Sequence, residues 1–291
     1  MPTSYNLLRE MIWKLMKFLL YSNVWIAVAA VALSLQTAYI YTGQISLTKL
    51  QFFILTSTLF VYAAHRLVAL KKLESNQWQE RFFYISKAQR WIFAYASLAA
   101  LTSGVLFFFL SRSLQLAILL PGLLSLAYVF PVLKGKRRIR DIHFLKIFLI
   151  ALVWAWVTVF LPAIDLYLEQ DASLYLIGFE RLCFIFAITI PFDIRDLLLD
   201  QQQSVKTLPG VIGLKAARQL AATLLVLSLF TNLYLWYGEV YSSGQLVGLL
   251  ISSIAAFILI VQANLERPDY YFTGLLDGTM LLQFSLFYLL S

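Results

Sequence analysis

The sequence predicts an all-α polytopic membrane protein with nine transmembrane helices, on three observations: an apolar excess, its recurrence in span-length blocks, and a one-sided distribution of basic residues. Hydrophobic residues fill 61% of the 291 positions and charged residues only 13%, which leaves a water-soluble domain of this size too little polar surface to cover itself. The apolar surface therefore faces lipid. A bilayer core of roughly 30 Å takes about 20 apolar residues at helical rise. Such stretches follow one another at 18–41, 50–70, 89–111, 114–133, 144–163, 174–197, 216–237, 244–263 and 271–290. No low-complexity linker separates them, so residues 1–291 read as a single transmembrane domain.

Ahead of the first span, Leu7, Leu8, Met11, Ile12, Leu15 and Met16 recur at helical spacing opposite Arg9, Lys14 and Lys17. That pattern predicts an amphipathic helix over 1–17 lying in the headgroup layer, or else a plain continuation of the first span. No small-residue cleavage site follows, so the first span is expected to be retained.

Orientation follows from charge. With nine spans, all but Lys49, Arg112 and Arg181 of the 23 lysines and arginines fall on the side of the N-terminus. The positive-inside rule then makes the N-terminus cytoplasmic, and the expected location is a bacterial inner membrane. The net charge of +8 is explained by this asymmetry, so it does not point to nucleic acid. The single cysteine, Cys183, lies in the sixth span. It excludes an intrachain disulfide and a cysteine metal site.

The chemistry gathers at the inner end of the sixth span, where Asp193, Asp196 and Asp200 stand at i, i+3 and i+7 and share one helical face. A charge inside the bilayer costs about 2.5–3.5 kcal/mol on insertion scales, so each carboxylate needs water, a cation or a partner. Mg²⁺ takes hard oxygen ligands, one or two carboxylates completed by substrate phosphate, and would relieve their mutual repulsion. Pro191, two residues earlier, removes a backbone hydrogen bond and is expected to open the helix there. The plainer alternative is a solvated helix end with Arg195 pairing locally.

Beyond the aspartates runs a polar loop with Lys206-Thr207-Leu208-Pro209, then Gly210, Gly213 and small residues opening the seventh span. An end of the form D-x-x-D-x-x-x-D followed by K-T-L-P resembles the second motif of the UbiA-type intramembrane prenyltransferases. The stretch Tyr128-Val129-Phe130-Pro131-Val132-Leu133-Lys134-Gly135-Lys136-Arg137 is similar to that family's tyrosine, proline and lysine-arginine segment after the fourth helix. The resemblance implies nine helices around a central cavity and transfer of an isoprenyl group from a prenyl diphosphate to a lipid-soluble, often aromatic, acceptor. It implies Asp193, Asp196 and Asp200 as catalytic residues and Mg²⁺ ligands, with Lys134, Arg137 and Lys206 on the diphosphate. Cationic groups stabilise such a leaving group. A water-poor aromatic cavity stabilises the allylic cation, and the chain carries 23 Phe, 16 Tyr and 7 Trp.

One element of the family pattern is missing. Its first motif, N-D-x-x-D-x-x-x-D at the end of the second helix, has no counterpart, because no acidic residue occurs between Glu10 and Glu74. Laying 61–67 against 191–197 puts Ala63, Arg66 and Leu70 at the positions of the three aspartates. Arg66, with His65 beside it, then supplies fixed positive charge to the diphosphate where the family has a metal cluster. The alternatives are a non-catalytic member that binds an isoprenoid or quinone-like lipid, and a transporter using Asp193, Asp196 and Asp277 as ion-carrying groups. The expected partners are a prenyl diphosphate, a lipid-soluble acceptor and the surrounding membrane lipids.

Overall fold

A computed structural model describes the chain except residues 1–10, 12–15, 18, 73–79, 134–137 and 169. Most of the amphipathic segment expected at 1–17, together with Lys134 and Arg137, lies outside the described residues. Among the described residues nine helices are long and apolar enough to cross a membrane. Together with short helices they run in the order α1 (Val24–Thr42), α2 (Lys49–Lys72), α3 (Glu80–Lys87), α4 (Gln89–Phe108), α5 (Arg112–Val129) and α6 (Leu145–Asp165). There follow α7 (Ser173–Arg195), α8 (Leu197–Gln202), α9 (Leu208–Ile212), α10 (Leu214–Tyr237), α11 (Ser243–Gln262) and α12 (Tyr271–Leu289). The spans are α1, α2, α4, α5, α6, α7, α10, α11 and α12.

Local chemistry sets their ends. The first span begins at Val24 rather than 18 because Asn23 takes a left-handed conformation, φ 64°, and turns the chain ahead of the helix. Gly43, also left-handed at φ 64°, closes α1 by donating its N–H to the Tyr39 carbonyl. The Ser111 hydroxyl accepts from the Leu114 N–H and starts α5. That helix stops at Val129, short of 133, because Phe130 precedes Pro131 and is extended. Ser242 and Gln245 form a reciprocal capping box at the start of α11.

The helices pack as a ring. α7 lies against α10 and α6, α11 joins α10 to α12, and α12 returns to α1, which touches α2. α5 bridges α2 and α6, while α4 packs mainly on α2. The α7 span is 67% buried and the α4 span 17%, so α7 is the inner element and α4 a peripheral one with most of its surface toward lipid. The small residues of α4 pack closely only in part. Ala96 and Ala99 are buried, whereas Gly104 faces open space. Close backbone approach is found instead between α11 and the end of the chain, where a Cβ on Gly244 would overlap the Leu290 backbone and one on Gly248 would come within 2.8 Å of the Leu286 backbone.

Two wide π-turns interrupt the regular helix, at Trp156–Phe160 in α6 and at Tyr271–Leu276 opening α12. Each adds a residue to a turn and so re-aims the side chains beyond it. In α6 the π-segment leaves the Thr158 carbonyl to accept from the Thr37 hydroxyl of α1 at 2.8 Å.

Candidate functional site

The ends of α2, α5, α6 and α7, the start of α12 and the chain entering α1 enclose a cavity of about 270 Å³. Its charged residues sit at one end of the bundle. Arg66 lies near the end of α2, Arg138 and Arg140 in the segment before α6, Lys146 in the first turn of α6, Arg195 at the last residue of α7, and Asp269 just ahead of α12. Farther in, the walls are aromatic and aliphatic, formed by Tyr62, Trp154, Leu149, Val153, Ile185, Phe192 and Met280. The Trp154 indole N–H donates to the Tyr62 hydroxyl at 3.2 Å.

Of the three predicted aspartates, Asp196 and Asp200 line the cavity, and all three are buried. α7 runs through Pro191 to Arg195, and Asp196 forms the joint to α8 while its carbonyl still accepts from the Asp200 N–H at 2.9 Å. The i, i+7 relation between Asp193 and Asp200 therefore survives the joint. Between them lies one ammonium group: Lys146 Nζ is 2.7 Å from Asp193 Oδ1 and 3.0 Å from Asp200 Oδ2, and it donates a hydrogen bond to the latter. Asp196 is held by the neighbouring guanidinium, with Arg195 Nε 2.9 Å from Oδ1. Arg195 reaches on to Asp269 at 3.4 Å and lies over the Phe192 ring, 4.9 Å from its centre. Among the described residues no group of three or more His, Cys, Asp or Glu is arranged to hold a metal ion.

The basic side of the cavity is built from α2 and the 138–146 segment. Arg66, in the register of Asp196, lines the same cavity as Asp196. Its guanidinium donates to the carbonyls of Leu20, at 3.1 Å, and Tyr21, at 2.5 Å. His65 contacts Arg140, whose guanidinium lies 5.4 Å from the centre of the Tyr128 ring. Burial opposes the Arg140 charge, but the fields of Tyr128, Asp200, Asp196 and Asp141 more than offset it, so the group is held above the usual arginine range. Arg138 is clamped by Asp141 at 2.8 Å.

Lys206 is placed differently from the expectation. Its side chain is exposed and does not line the cavity. Its backbone is what matters: the Lys206 N–H donates to His143 Nδ1 at 3.0 Å, and the Lys206 carbonyl accepts from the Phe144 N–H at 3.2 Å. These bonds tie the K-T-L-P loop to the residue before α6. Phe144 itself is left-handed at φ 64°, a conformation unfavourable for a bulky side chain unless its surroundings hold it.

In the sequence Lys146 reads only as topology-determining charge, whereas Arg140 belongs to a basic run able to bind diphosphate or anionic lipid heads. The available signal was the short separation of Lys146 from the basic run and its place in the first turn of a span, where the helix dipole disfavours a cation. Arg181, counted above with the outer-side charges, proves to be buried inside the bundle beside Glu180, its Nε 3.8 Å from Glu180 Oε2. The Arg181 guanidinium donates to the Leu33 carbonyl and the Thr158 hydroxyl, both at 3.2 Å, and the Ser228 hydroxyl donates to Glu180 at 2.8 Å. Asp277 lines the cavity from α12, immediately after the π-turn.

No family model and no curated protein sequence matches this chain. Solved structures do. A structure of digeranylgeranylglyceryl phosphate synthase matches over 95% of this chain and 98% of its own, with a TM-score of 0.61 and 15% identity. A UbiA homolog from Archaeoglobus fulgidus, bound to GPP and Mg²⁺, matches over 94% and 99%, with a TM-score of 0.65 and 12% identity. The same homolog bound to DMAPP and Mg²⁺ matches over 93% and 98%, at 0.61 and 13%. The likeness spans nearly the full length of each chain, and with the nine span-length helices among the described residues it makes the protein an integral multi-pass membrane protein with the fold of the UbiA-type intramembrane prenyltransferases.

Proposed function

We propose that the chain binds a prenyl diphosphate in the cavity, with the phosphates against the cations at its mouth and the isoprenyl chain along the aromatic wall, and transfers the prenyl group to a lipid-soluble acceptor. The observation that carries this reading is the division of one cavity into a cationic end, with Arg66 and Arg140, and an apolar aromatic interior containing Tyr62, Trp154 and Phe192. A prenyl diphosphate has the same division. The two structures of the Archaeoglobus homolog carrying GPP and DMAPP support it.

In such a transfer the C–O bond to diphosphate breaks with its electron pair leaving on the phosphate oxygen. The acceptor supplies the pair for the new bond and then loses a proton. Arg66 and Arg140 stabilise the departing charge by preorganised electrostatics. The faces of Tyr62, Trp154 and Phe192 stabilise the allylic cation and keep water away from it. Tyr128 is already stacked under Arg140, so it acts on the phosphate side by holding that cation.

The divalent ion of the neighbouring structures does not fit the aspartates of this chain as they stand. Two of them share the Lys146 ammonium and the third holds Arg195. The same observation favours a second reading, a member that binds an isoprenoid lipid without turning it over. Incubation of the purified protein with radiolabelled geranyl diphosphate and a membrane lipid extract separates the two. A prenylated lipid is the expected product. Recovery of unchanged geranyl diphosphate, with a tightly held lipid in the protein's own extract, would establish the binder instead.

Most of the described basic residues lie at the end of the bundle that carries the cavity mouth. We place that end in the cytoplasm, where a prenyl diphosphate is soluble, with the N-terminus on the same side and the protein in a bacterial inner membrane.

A further inference from the structure

The Lys146 ammonium occupies the space between two buried carboxylates that a hard divalent cation would otherwise take. Asp193 and Asp200 are both within 3.0 Å of it, on one helical face, and both are shielded from water. Its placement is built rather than incidental. It stands in the first turn of α6, where the helix dipole repels positive charge. The helix starts there because Phe144, left-handed, is tied through its own N–H and its neighbour His143 to the Lys206 backbone. The loop after the aspartates thus fixes the cation that two of them share. On the facing helix, Arg66 stands in the register where the related first motif would carry a carboxylate.

We propose that Lys146 is an internal replacement for the divalent metal at this motif, so that the phosphate end of the cavity binds its anion with fixed cations and without a metal ion. The inference rests on the diphosphate reading given above. Asp193 and Asp200 become positioning residues: they hold an ammonium in the membrane interior, where it would otherwise be expelled. The cavity mouth then carries Arg66 and Arg140 as the fixed positive charge matched to the oxygens of a phosphate ester, while Lys146 offsets the carboxylates.

Two measurements on the purified full-length protein in detergent test this. In the first, Mn²⁺ binding is followed by the loss of the free-ion paramagnetic resonance signal. The parent protein is expected to bind none, and Lys146→Met, which bares the two carboxylates, to acquire a site. Mn²⁺ uptake by the parent in the absence of diphosphate overturns the proposal, and so does a folded Lys146→Met protein that stays metal-free. If Lys146→Met does not fold, the measurement on the parent decides alone, with Lys146→Arg as a folded control that must also bind no Mn²⁺.

In the second, geranyl diphosphate is titrated in EDTA and again in Mg²⁺. Affinities equal within about twofold are expected, because no coordination bond is lost to the chelator. A loss of about tenfold or more in EDTA overturns metal independence while leaving the diphosphate reading in place. Absence of binding in both solutions removes the diphosphate reading itself, and the proposal with it.

Discussion

The indole of Trp154 in α6 donates to the hydroxyl of Tyr62 in α2, closing the inner wall of the cavity between two helices far apart in sequence. Tyr62 lies one turn deeper than Arg66 and Trp154 about two turns deeper than Lys146, so the pair marks the boundary between the cationic mouth and the apolar interior. Tyr62→Phe is expected to lower the melting temperature in detergent, since a buried N–H left without an acceptor costs about 1–3 kcal/mol. Trp154→Phe removes the donor as well. The double variant should therefore be more stable than the sum of the singles predicts. Strict additivity of the two melting shifts would show that the bond contributes nothing.

Lys146→Met strands Asp193 and Asp200 without their shared cation. Removing one partner of a buried ion pair costs about 3–5 kcal/mol, which should appear as a marked fall in thermal stability. Converting the two aspartates to asparagine in the same chain is expected to recover most of it, because the uncompensated charge is then gone. A triple variant as unstable as Lys146→Met would mean that the lysine acts through packing.

Arg66→Ala is expected to weaken geranyl diphosphate binding by at least about tenfold, the loss of roughly 1.4 kcal/mol or more from a charge-assisted contact. A modest loss of stability should accompany it, since the guanidinium also ties α2 to the carbonyls of Leu20 and Tyr21. Isothermal titration separates these effects. Unchanged affinity in a slightly less stable protein would assign Arg66 to the fold alone.

Glu180→Ala should destabilise the bundle more than Asp269→Ala. Glu180 is the carboxylate beside the fully buried Arg181, whereas Asp269 shares Arg195 with Asp196. Leaving Arg181 buried and uncompensated carries the penalty of about 3–5 kcal/mol, while Arg195 keeps a second partner. Comparison of the two melting curves checks the order, and a reversed order would show that Arg181 is satisfied by the Leu33 carbonyl and Thr158 hydroxyl alone.

Orientation can be read with one added thiol. Cys183 is buried, so in a Lys206→Cys variant the exposed loop is the expected site of maleimide labelling. A membrane-impermeant maleimide should modify it only after the inner membrane is opened. Labelling of intact spheroplasts would place the K-T-L-P loop outside and reverse the assignment.

The pairing of Asp193 with Asp200 was readable from spacing, because i and i+7 return to one face of a helix, and they do so here across the joint at Asp196, which itself turns to Arg195. The partner of that face was not readable. Lys146 is 47 residues before Asp193 in the numbering, and only the packing of α6 on α7 brings its ammonium to the carboxylates. Lys206 fails in the opposite sense. Its motif is plain in sequence, yet the site-building part is its backbone, which binds His143 and Phe144, and no pattern of side chains reports that.

By itself the sequence determined the number, order and approximate limits of the spans, because lipid imposes a length and an apolar composition on each one separately. It also determined which end of the bundle carries the charge. The tertiary structure decided what those charges do: which cation neutralises which aspartate, that Arg181 is buried with Glu180 rather than facing the outer side, and that Arg66 and Asp196 share one cavity. Ion pairing in a low-dielectric interior depends on separations of a few ångströms between residues on different helices. Those separations are set by how the helices pack and where their turns widen, and no one-dimensional pattern contains them.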